Sequence, residues 1–261
     1  MLGFAVKKAF FDLWDHLIAI VLMNLGAVVL IAAAAFLVDQ VVAGWNGGVV
    51  SMTLGAAVAL AICTVYLGGV ALACAEIADY RGPTIASFAT GVLRAAPAAL
   101  AYCAGSVLLV VVLSVGVPLY AGFGNVIGLL ALAGIVWLAA VWALTGTLYF
   151  AVLARLESRV GALIRKSILL LFDNLGFAAL LFVTAPVIVM ISLPLAFMFP
   201  GPAGAMQWMQ SAVKLRLLKY EYLERNPQSH RRRVPWNAVF VEEQRLVGPR
   251  SLKSTLFPWK D

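Results

Sequence analysis

The chain has 261 residues, of which 63% are hydrophobic and 12% charged, and its formal net charge is +7. With a mean hydropathy of +0.98, this composition excludes an ordinary soluble globular protein, in which about a quarter of the residues are charged. The sequence predicts a polytopic membrane protein.

Four long windows contain no Asp, Glu, Lys or Arg: residues 17–38, 40–75, 95–154 and 174–213. Backbone polar groups in lipid must be paired within the protein, and these windows lack the alternation of barrel strands, so we expect helices. About 20 helical residues cross a hydrocarbon core of about 30 Å. The third window therefore predicts two spans joined by a turn at 117–125, and the fourth is too long for one span. The predicted fold is an all-α helical membrane bundle.

Residues 1–16 are predicted to form an interfacial amphipathic helix that leads into a retained first span, whose main polar residue is Asn24. Lys8, Asp12 and Asp15 lie on one face of this helix. The other face is apolar and carries residues at helical spacing: Val6, Phe10, Leu13, Trp14 and Leu17.

Small residues at four-residue spacing mark two candidate positions for close helix packing, because they let backbones approach. The first set is in span two and the second is a GxxxG pair at the start of span four, for which packing within one chain is favoured over a dimer contact. A homo-oligomer held through either set is a separate structural hypothesis. The candidate packing residues are Ser51, Gly55, Ala59, Gly124 and Gly128.

Pro97 is expected in the first turn of span three.

The fifth span is predicted to begin near Asn174 and to be kinked by internal prolines. A break then precedes a short sixth helix at 203–222. The candidate hinge residues are Pro186, Pro194, Pro200, Gly201 and Pro202.

The distribution of basic residues predicts that this sixth helix crosses the membrane. Of the 19 Lys and Arg residues, 2 precede span one, 2 lie in 76–94, 4 lie in 155–166 and 11 follow from Lys214 onward. Only a sixth crossing puts all of them on one side, as the positive-inside rule prefers. We therefore expect about six spans, five long and one short, in a bacterial inner membrane, with both termini in the cytoplasm.

The bundle is predicted to occupy residues 17–222, and residues 223–261 are predicted to form a basic cytoplasmic tail. Arg231, Arg232 and Arg233 are candidate contacts for anionic lipid headgroups or for a partner. Nucleic acid is not an expected partner, because one short basic run is too little. Residues 234–241 are expected to be extended.

Nothing in the sequence predicts catalysis. The chain has two histidines, His16 and His230, far apart, and no HExxH, CxxC, Walker or GxSxG motif. The three cysteines lie in apolar windows and suggest neither a disulfide framework nor a metal site. We therefore expect no enzymatic activity, cofactor or metal, and we expect the neutral polar residues of the spans to tie helices together.

Three segments carry a resemblance to a known family: AFFDLWDHLIAIVLMNLGAVVL at 9–30, Tyr80-Arg-Gly followed by Ser87-Phe88, and the basic connection 155–175. In hydropathy and spacing they resemble the YesL-like family of bacterial membrane proteins, and the longer basic tail ending in FPWKD departs from it. The resemblance implies six membrane helices and an accessory role beside ABC transporter subunits in carbohydrate uptake. Our first hypothesis is such a non-catalytic accessory or regulatory protein, and the alternative is a stand-alone permease for a small neutral solute.

Overall fold

A computed structural model of the chain describes residues 2–44, 48–228 and 234–250, and these residues form helices joined by short connections. The helices that carry the bundle lie within the first two of these ranges. In chain order the helices are α1 (Leu2–Asp15), α2 (Leu17–Gly44), α3 (Val49–Ala78), α4 (Ile85–Ala121), α5 (Val126–Arg155), α6 (Val160–Asp173), α7 (Leu175–Ile191), a 3₁₀ turn (Leu193–Leu195), α8 (Gly201–Arg225), α9 (Trp236–Val239) and α10 (Val241–Val247).

Four helices, α2 to α5, are long and apolar enough to cross a membrane. The shortest of them has 28 residues, or about 42 Å at 1.5 Å per residue. A fifth candidate span is the pair α6 and α7, which meet at an angle of 102°. Large apolar side chains such as Ile18, Leu93 and Val126 point outward from the bundle, where lipid would cover them. The predicted all-α membrane bundle is confirmed.

The predicted hairpin in the 95–154 window is present, because α4 ends at Ala121 and the Asn125 side chain caps α5 by accepting a hydrogen bond from the Gly128 N–H at 2.9 Å. However, α4 begins at Ile85, where Thr84 and Ser87 form a capping box. Pro97 therefore lies in the interior of α4, and the prediction that it occupies the first turn is wrong.

The chain reverses direction between α7 and α8, which run antiparallel. The Trp208 indole N–H donates to the Thr184 hydroxyl at 2.9 Å, and the Asn174 amide donates to the Tyr220 hydroxyl at 2.5 Å. Because α7 ends at Ile191, its only internal proline is Pro186. The expectation that a second proline, Pro194, kinks the same helix is wrong, since that residue lies in the 3₁₀ turn.

Helix α8 corresponds to the predicted sixth span, but it is the centre of the structure, not one of its apolar outer helices. It contacts α1, α2, α3, α5 and α7, and it buries twelve residues. Three of those residues are polar and fully buried: Gln207, Gln210 and Ser211. It is not among the candidate spans identified by length and apolarity. A comparatively polar helix is therefore enclosed by apolar ones.

Helix α1 is present as predicted, but its polar face points into the protein. Lys8 and Asp12 are buried, whereas Val6 and Trp14 are about half exposed. Residues 236–239 and 241–247 are helical, and Phe240 between them packs against α1, with the Phe240 and Phe4 rings stacked at 5.4 Å. The prediction of an extended segment at 234–241 is therefore wrong.

Candidate functional site

Asp79, which follows α3, Arg155 at the end of α5 and Lys214 in the middle of α8 meet at one end of the bundle. Asp79, which follows α3, accepts a hydrogen bond from Arg155 at 3.0 Å and lies 3.3 Å from the Lys214 ammonium. Lys214 also donates to the Ala78 carbonyl at 2.8 Å. The end of the bundle that holds these groups is called the charged end from here on.

A second set of contacts joins α1 to α8 at the charged end. Lys8 and Asp12 are one helical turn apart on α1, with the Lys8 Nζ 3.1 Å from a carboxylate oxygen of Asp12. From α8, Ser211 donates to the same carboxylate at 2.7 Å and Gln207 at 3.3 Å. The polar face of α1 turns inward because its carboxylate is satisfied by these donors, and its apolar face is left to the outside.

Glu243 on α10 links the two sets, although it is distant in sequence from all its partners. Its carboxylate lies 2.7 Å from the Lys214 ammonium and 3.6 Å from that of Lys8, and it accepts the Tyr80 hydroxyl proton at 2.7 Å. The Lys8 ammonium also sits 3.9 Å from the Tyr80 ring centroid, a favourable cation–π geometry. We call the whole set the ionic cluster: Lys8, Asp12, Asp79, Tyr80, Arg155, Lys214 and Glu243.

Burial and pairing act against each other in this cluster. Burial lowers the pKa of Lys8 and raises the pKa of Asp12, although the two groups attract each other. Burial would also raise the pKa of Asp79, but Arg155 and Lys214 outweigh it and hold that pKa below its ordinary value. For Tyr80, burial first and the hydrogen bond to Glu243 second raise the pKa, so the phenol stays protonated as a donor.

The ionic cluster contains three cations and three carboxylates, so its formal charges balance. A buried ion pair gives little net stability against apolar residues of similar size, but removing one partner leaves an uncompensated buried charge. The cluster therefore links α1, α8, the α3–α4 connection and α10 through specific charged contacts. Each of its carboxylates is paired with a cation or accepts a hydrogen bond from a hydroxyl. This pairing fits a structural role, in which the cluster stabilises the packing of these segments.

The start of α8 is held by Asn24, the residue predicted as the main polar group of span one. Its amide N–H₂ donates to the Met198 carbonyl at 3.0 Å and to the Pro200 carbonyl at 2.7 Å, and its oxygen accepts the Ala203 N–H at 2.8 Å. Asn24 is fully buried. At Gly201, where φ is +61°, a Cβ would lie 2.5 Å from the Asn24 amide nitrogen, so only glycine fits.

The candidate hinge residues occupy three different settings. Pro186 lies within α7 and Pro194 lies in the 3₁₀ turn. Pro200, Gly201 and Pro202 lie at the start of α8, where Asn24 holds the backbone.

The candidate packing residues lie against neighbouring helices of the same chain or in a turn. On α3, Ser51 and Gly55 are buried and Ala59 is half-buried; a Cβ on Gly55 would lie 3.4 Å from the Val38 Cα of α2. Gly128 packs against the end of α4. Gly124 precedes α5 with a φ of +60°, so the GxxxG pair is not a stripe on one helix.

Several neutral polar groups of the spans join neighbouring helices. The Tyr66 hydroxyl donates to the Met23 carbonyl of α2 at 2.7 Å, the Tyr149 hydroxyl donates to the Ala98 carbonyl of α4 at 2.8 Å, and the Trp142 indole donates to Ser106 at 3.0 Å. Other hydroxyls bond to a carbonyl of their own helix: Thr64, Ser114, Thr145 and Thr147.

Sequence reasoning missed the buried role of Lys8, Asp12 and Glu243. One signal was available on α8, where Gln207, Gln210, Ser211 and Lys214 are spaced as neighbours on one helical face. Three of these polar residues lie inside an otherwise apolar window, and such a face needs a polar partner. The candidate lipid contacts Arg231, Arg232 and Arg233 lie outside the described residues.

A groove of about 410 Å³ opens beside the ionic cluster, between the end of α5 and the last three turns of α8. Arg155 and Lys214 form one wall, and both are already paired within the cluster. The remaining lining residues combine apolar and acidic side chains: Leu156, Leu217, Leu218, Tyr220, Glu221 and Glu224.

Comparison of the chain with protein-family models, with curated proteins and with solved structures found no match. The resemblance to the YesL-like family stays a prediction from the sequence. We therefore base function on the geometry of the charged end.

Proposed function

We propose that this protein is a non-catalytic membrane protein that assists or regulates a solute-uptake transporter. The single observation that carries the proposal is that the ionic cluster holds α9 and α10 against the bundle. An open groove lies beside this contact. Such an arrangement provides a preformed surface for another protein. Carbohydrate uptake is the first solute class to test, because the YesL-like resemblance implies it.

The charged end is the cytoplasmic end in this proposal. Arg155, the last residue of α5, and Lys214 of α8 meet Asp79 there, and basic residues beside the ends of spans favour the cytoplasm. A cysteine in place of the exposed Asn226, in a chain whose three native cysteines are removed, should resist an impermeant maleimide added to intact cells. Labelling from outside would show that the charged end does not face the cytoplasm, and would contradict this orientation.

The groove suits a helix that carries both apolar and basic side chains. Leu217 and Leu218 are half-buried in it, and Glu224 is exposed at its edge with no ion pair among the described residues. Because the basic groups of the wall are neutralised inside the cluster, the uncompensated charge of the groove is acidic. A cytoplasmic helix of a transporter permease with Lys or Arg beside apolar residues would complement it.

Site-specific crosslinking in the native membrane tests this proposal. A photoreactive residue replacing Leu217 should crosslink to a transporter subunit, whereas one replacing Leu138, which is exposed on α5, should not. Glu224→Lys should abolish the crosslink and the exposed Glu242→Lys on α10 should preserve it. A Leu217 crosslink pattern identical to that of Leu138 would refute the groove as a partner site.

Deleting residues 225–261, which would be the direct way to remove the tail, is a poor test. The deletion removes Glu243, whose carboxylate compensates the buried Lys8 and Lys214. The truncated chain would lose stability as well as any partner contact. Point substitutions in the groove separate these two effects.

The alternative permease function has one supporting feature, a cavity of about 240 Å³ between α2, α3 and the start of α8. It reaches Pro202, beside the break that precedes α8. Its lining is largely apolar, and the Thr64 and Tyr66 hydroxyls there already donate to backbone carbonyls. A sugar or polyol would find few free hydrogen-bonding groups, so we favour the accessory function. Uptake of a labelled sugar into liposomes containing only this protein would reverse that preference.

A further inference from the structure

A second cavity, of about 280 Å³, lies at the charged end between α3, the start of α4 and the end of α5. It is separate from the groove and shares only Asp79 with the ionic cluster. Its floor is formed by small and apolar residues, and its walls carry both signs of charge. The charged and hydroxyl residues of the lining are Glu76, Asp79, Arg81, Ser87, Thr90 and Arg94.

Some charged side chains of this cavity are neutralised within the protein, and others are not. Asp79 is neutralised by Arg155 and Lys214. Arg81 is 73% exposed and lies 3.7 Å from Asp79, and Arg94 is exposed with no ion pair among the described residues. Glu76 accepts the Ser87 hydroxyl at 3.1 Å and also makes no ion pair in the described part of the chain. Two guanidinium groups and one carboxylate are thus available to a ligand.

We propose that this cavity binds the headgroup of a phospholipid that carries both a phosphate and a primary ammonium. Arg81 and Arg94 would bind the phosphate, because guanidinium groups match phosphate oxygens with charge-assisted hydrogen bonds. Glu76 would bind the ammonium. A phosphoethanolamine headgroup meets both requirements, whereas a glycerol headgroup meets only the first. This inference is independent of the proposed transporter partner.

The surface next to the cavity favours a lipid over a soluble phosphate ester. Ile85, Leu93 and Leu100 form an exposed apolar track along the outer face of α4, and Leu93, next to Arg94, is 76% exposed. Acyl chains can lie along such a track while the headgroup enters the cavity. A soluble ester would leave the track uncovered.

The test uses the full chain in detergent, with phosphatidylethanolamine or phosphatidylglycerol of identical acyl chains added, and native mass spectrometry to count bound lipid. The wild-type chain should bind phosphatidylethanolamine more tightly, by up to about fivefold, the upper limit expected for one partly exposed ion pair. Arg94→Gln should weaken the binding of both lipids. Glu76→Gln, which keeps an acceptor for Ser87, should remove the preference and leave phosphatidylglycerol binding unchanged.

The matched control is Arg165→Gln, an exposed arginine on α6 that does not line the cavity. Equal lipid binding by Arg94→Gln and Arg165→Gln would overturn the site. An unchanged lipid preference in Glu76→Gln would overturn the assignment of the ammonium. Soluble glycerophosphoethanolamine, added at the lipid concentration, should fail to displace the lipid; efficient displacement would overturn the lipid as the ligand.

Discussion

Replacement of Asn24 by leucine tests whether one side chain holds the start of α8 in place. Leucine has a similar size, so the substitution removes hydrogen bonds without opening a large cavity. The wild-type amide makes three of them, to the Met198 and Pro200 carbonyls and from the Ala203 N–H. We expect Asn24→Leu to destabilise the protein and to loosen α8 at its first turn.

The size of this destabilisation depends on which backbone groups would lose their hydrogen-bond partner. The Pro200 carbonyl also accepts the Gly204 N–H at 2.9 Å, so it stays satisfied. The Met198 carbonyl and the Ala203 N–H would be left unpaired, and a buried unpaired group costs about 1–3 kcal/mol. The expected loss in the free energy of unfolding is therefore about 2–6 kcal/mol. Even the lower average for hydrogen bonds between membrane helices, about 0.6 kcal/mol each, gives about 2 kcal/mol for three.

Two measurements check this expectation. Unfolding in mixed micelles by titration with SDS gives the free energy. Cysteine labelling gives a local signal, because Cys74 is fully buried with its sulfur 3.6 Å from the Ala203 carbonyl. In a chain that retains only this cysteine, a permeant maleimide should label Asn24→Leu faster than the wild type.

The matched control is Thr64→Val, another buried isosteric change in a neighbouring helix. Among the described residues, the Thr64 hydroxyl bonds to the Leu60 carbonyl of its own helix and to no other group, so its loss should cost less than about 1 kcal/mol. An Asn24→Leu variant as stable as Thr64→Val, with unchanged labelling of Cys74, would refute the role given to Asn24.

Three further predictions test the ionic cluster and the α4–α5 contact by the same unfolding titration. Glu243→Gln should cost about 2–4 kcal/mol, because two buried ammonium groups lose a carboxylate, and it should expose 234–250 to protease. Lys8→Met and Asp12→Asn should each destabilise, whereas the double variant should recover most of the loss because neither charge is left unpaired; additive losses would contradict the pairing. Gly105→Leu should disrupt the contact with the facing indole of α5, whereas Gly134→Leu, whose Cβ meets open space, should be tolerated.

The sequence contains enough information to predict the spans because their physical cause is local. A window without charge must be covered by lipid or protein, and the length of 95–154 allows two crossings and requires a turn. The start of α4 was also predictable in principle, since Thr84 and Ser87 form a local capping box. The uncharged window begins only after Arg94, so the absence of charge alone puts the start of this helix too late.

The direction of the two faces of α1 could not be predicted from its periodicity. An amphipathic pattern shows that Lys8 and Val6 lie on different faces, but it does not say which face meets water. At the edge of a membrane the apolar face can meet lipid while the polar face meets protein. The deciding partners, Ser211 and Glu243, lie some 200 residues away in sequence, and no local pattern connects them to α1.

The central position of α8 explains why the buried polar groups concentrate along it. Apolar contact between helices gains little in lipid, because the lipid tails are as apolar as the side chains they would replace. A wholly apolar α8 could therefore exchange places with any outer helix at small cost. Its polar residues remove that freedom: Asn24 holds the first turn, Gln210 donates to the Ala71 carbonyl of α3 at 3.0 Å, and Lys214 enters the ionic cluster. Because these contacts come from different helices, α8 can satisfy them only in one position and one rotation. The same contacts fix the groove, whose acidic and apolar residues continue directly from the last buried turn of α8.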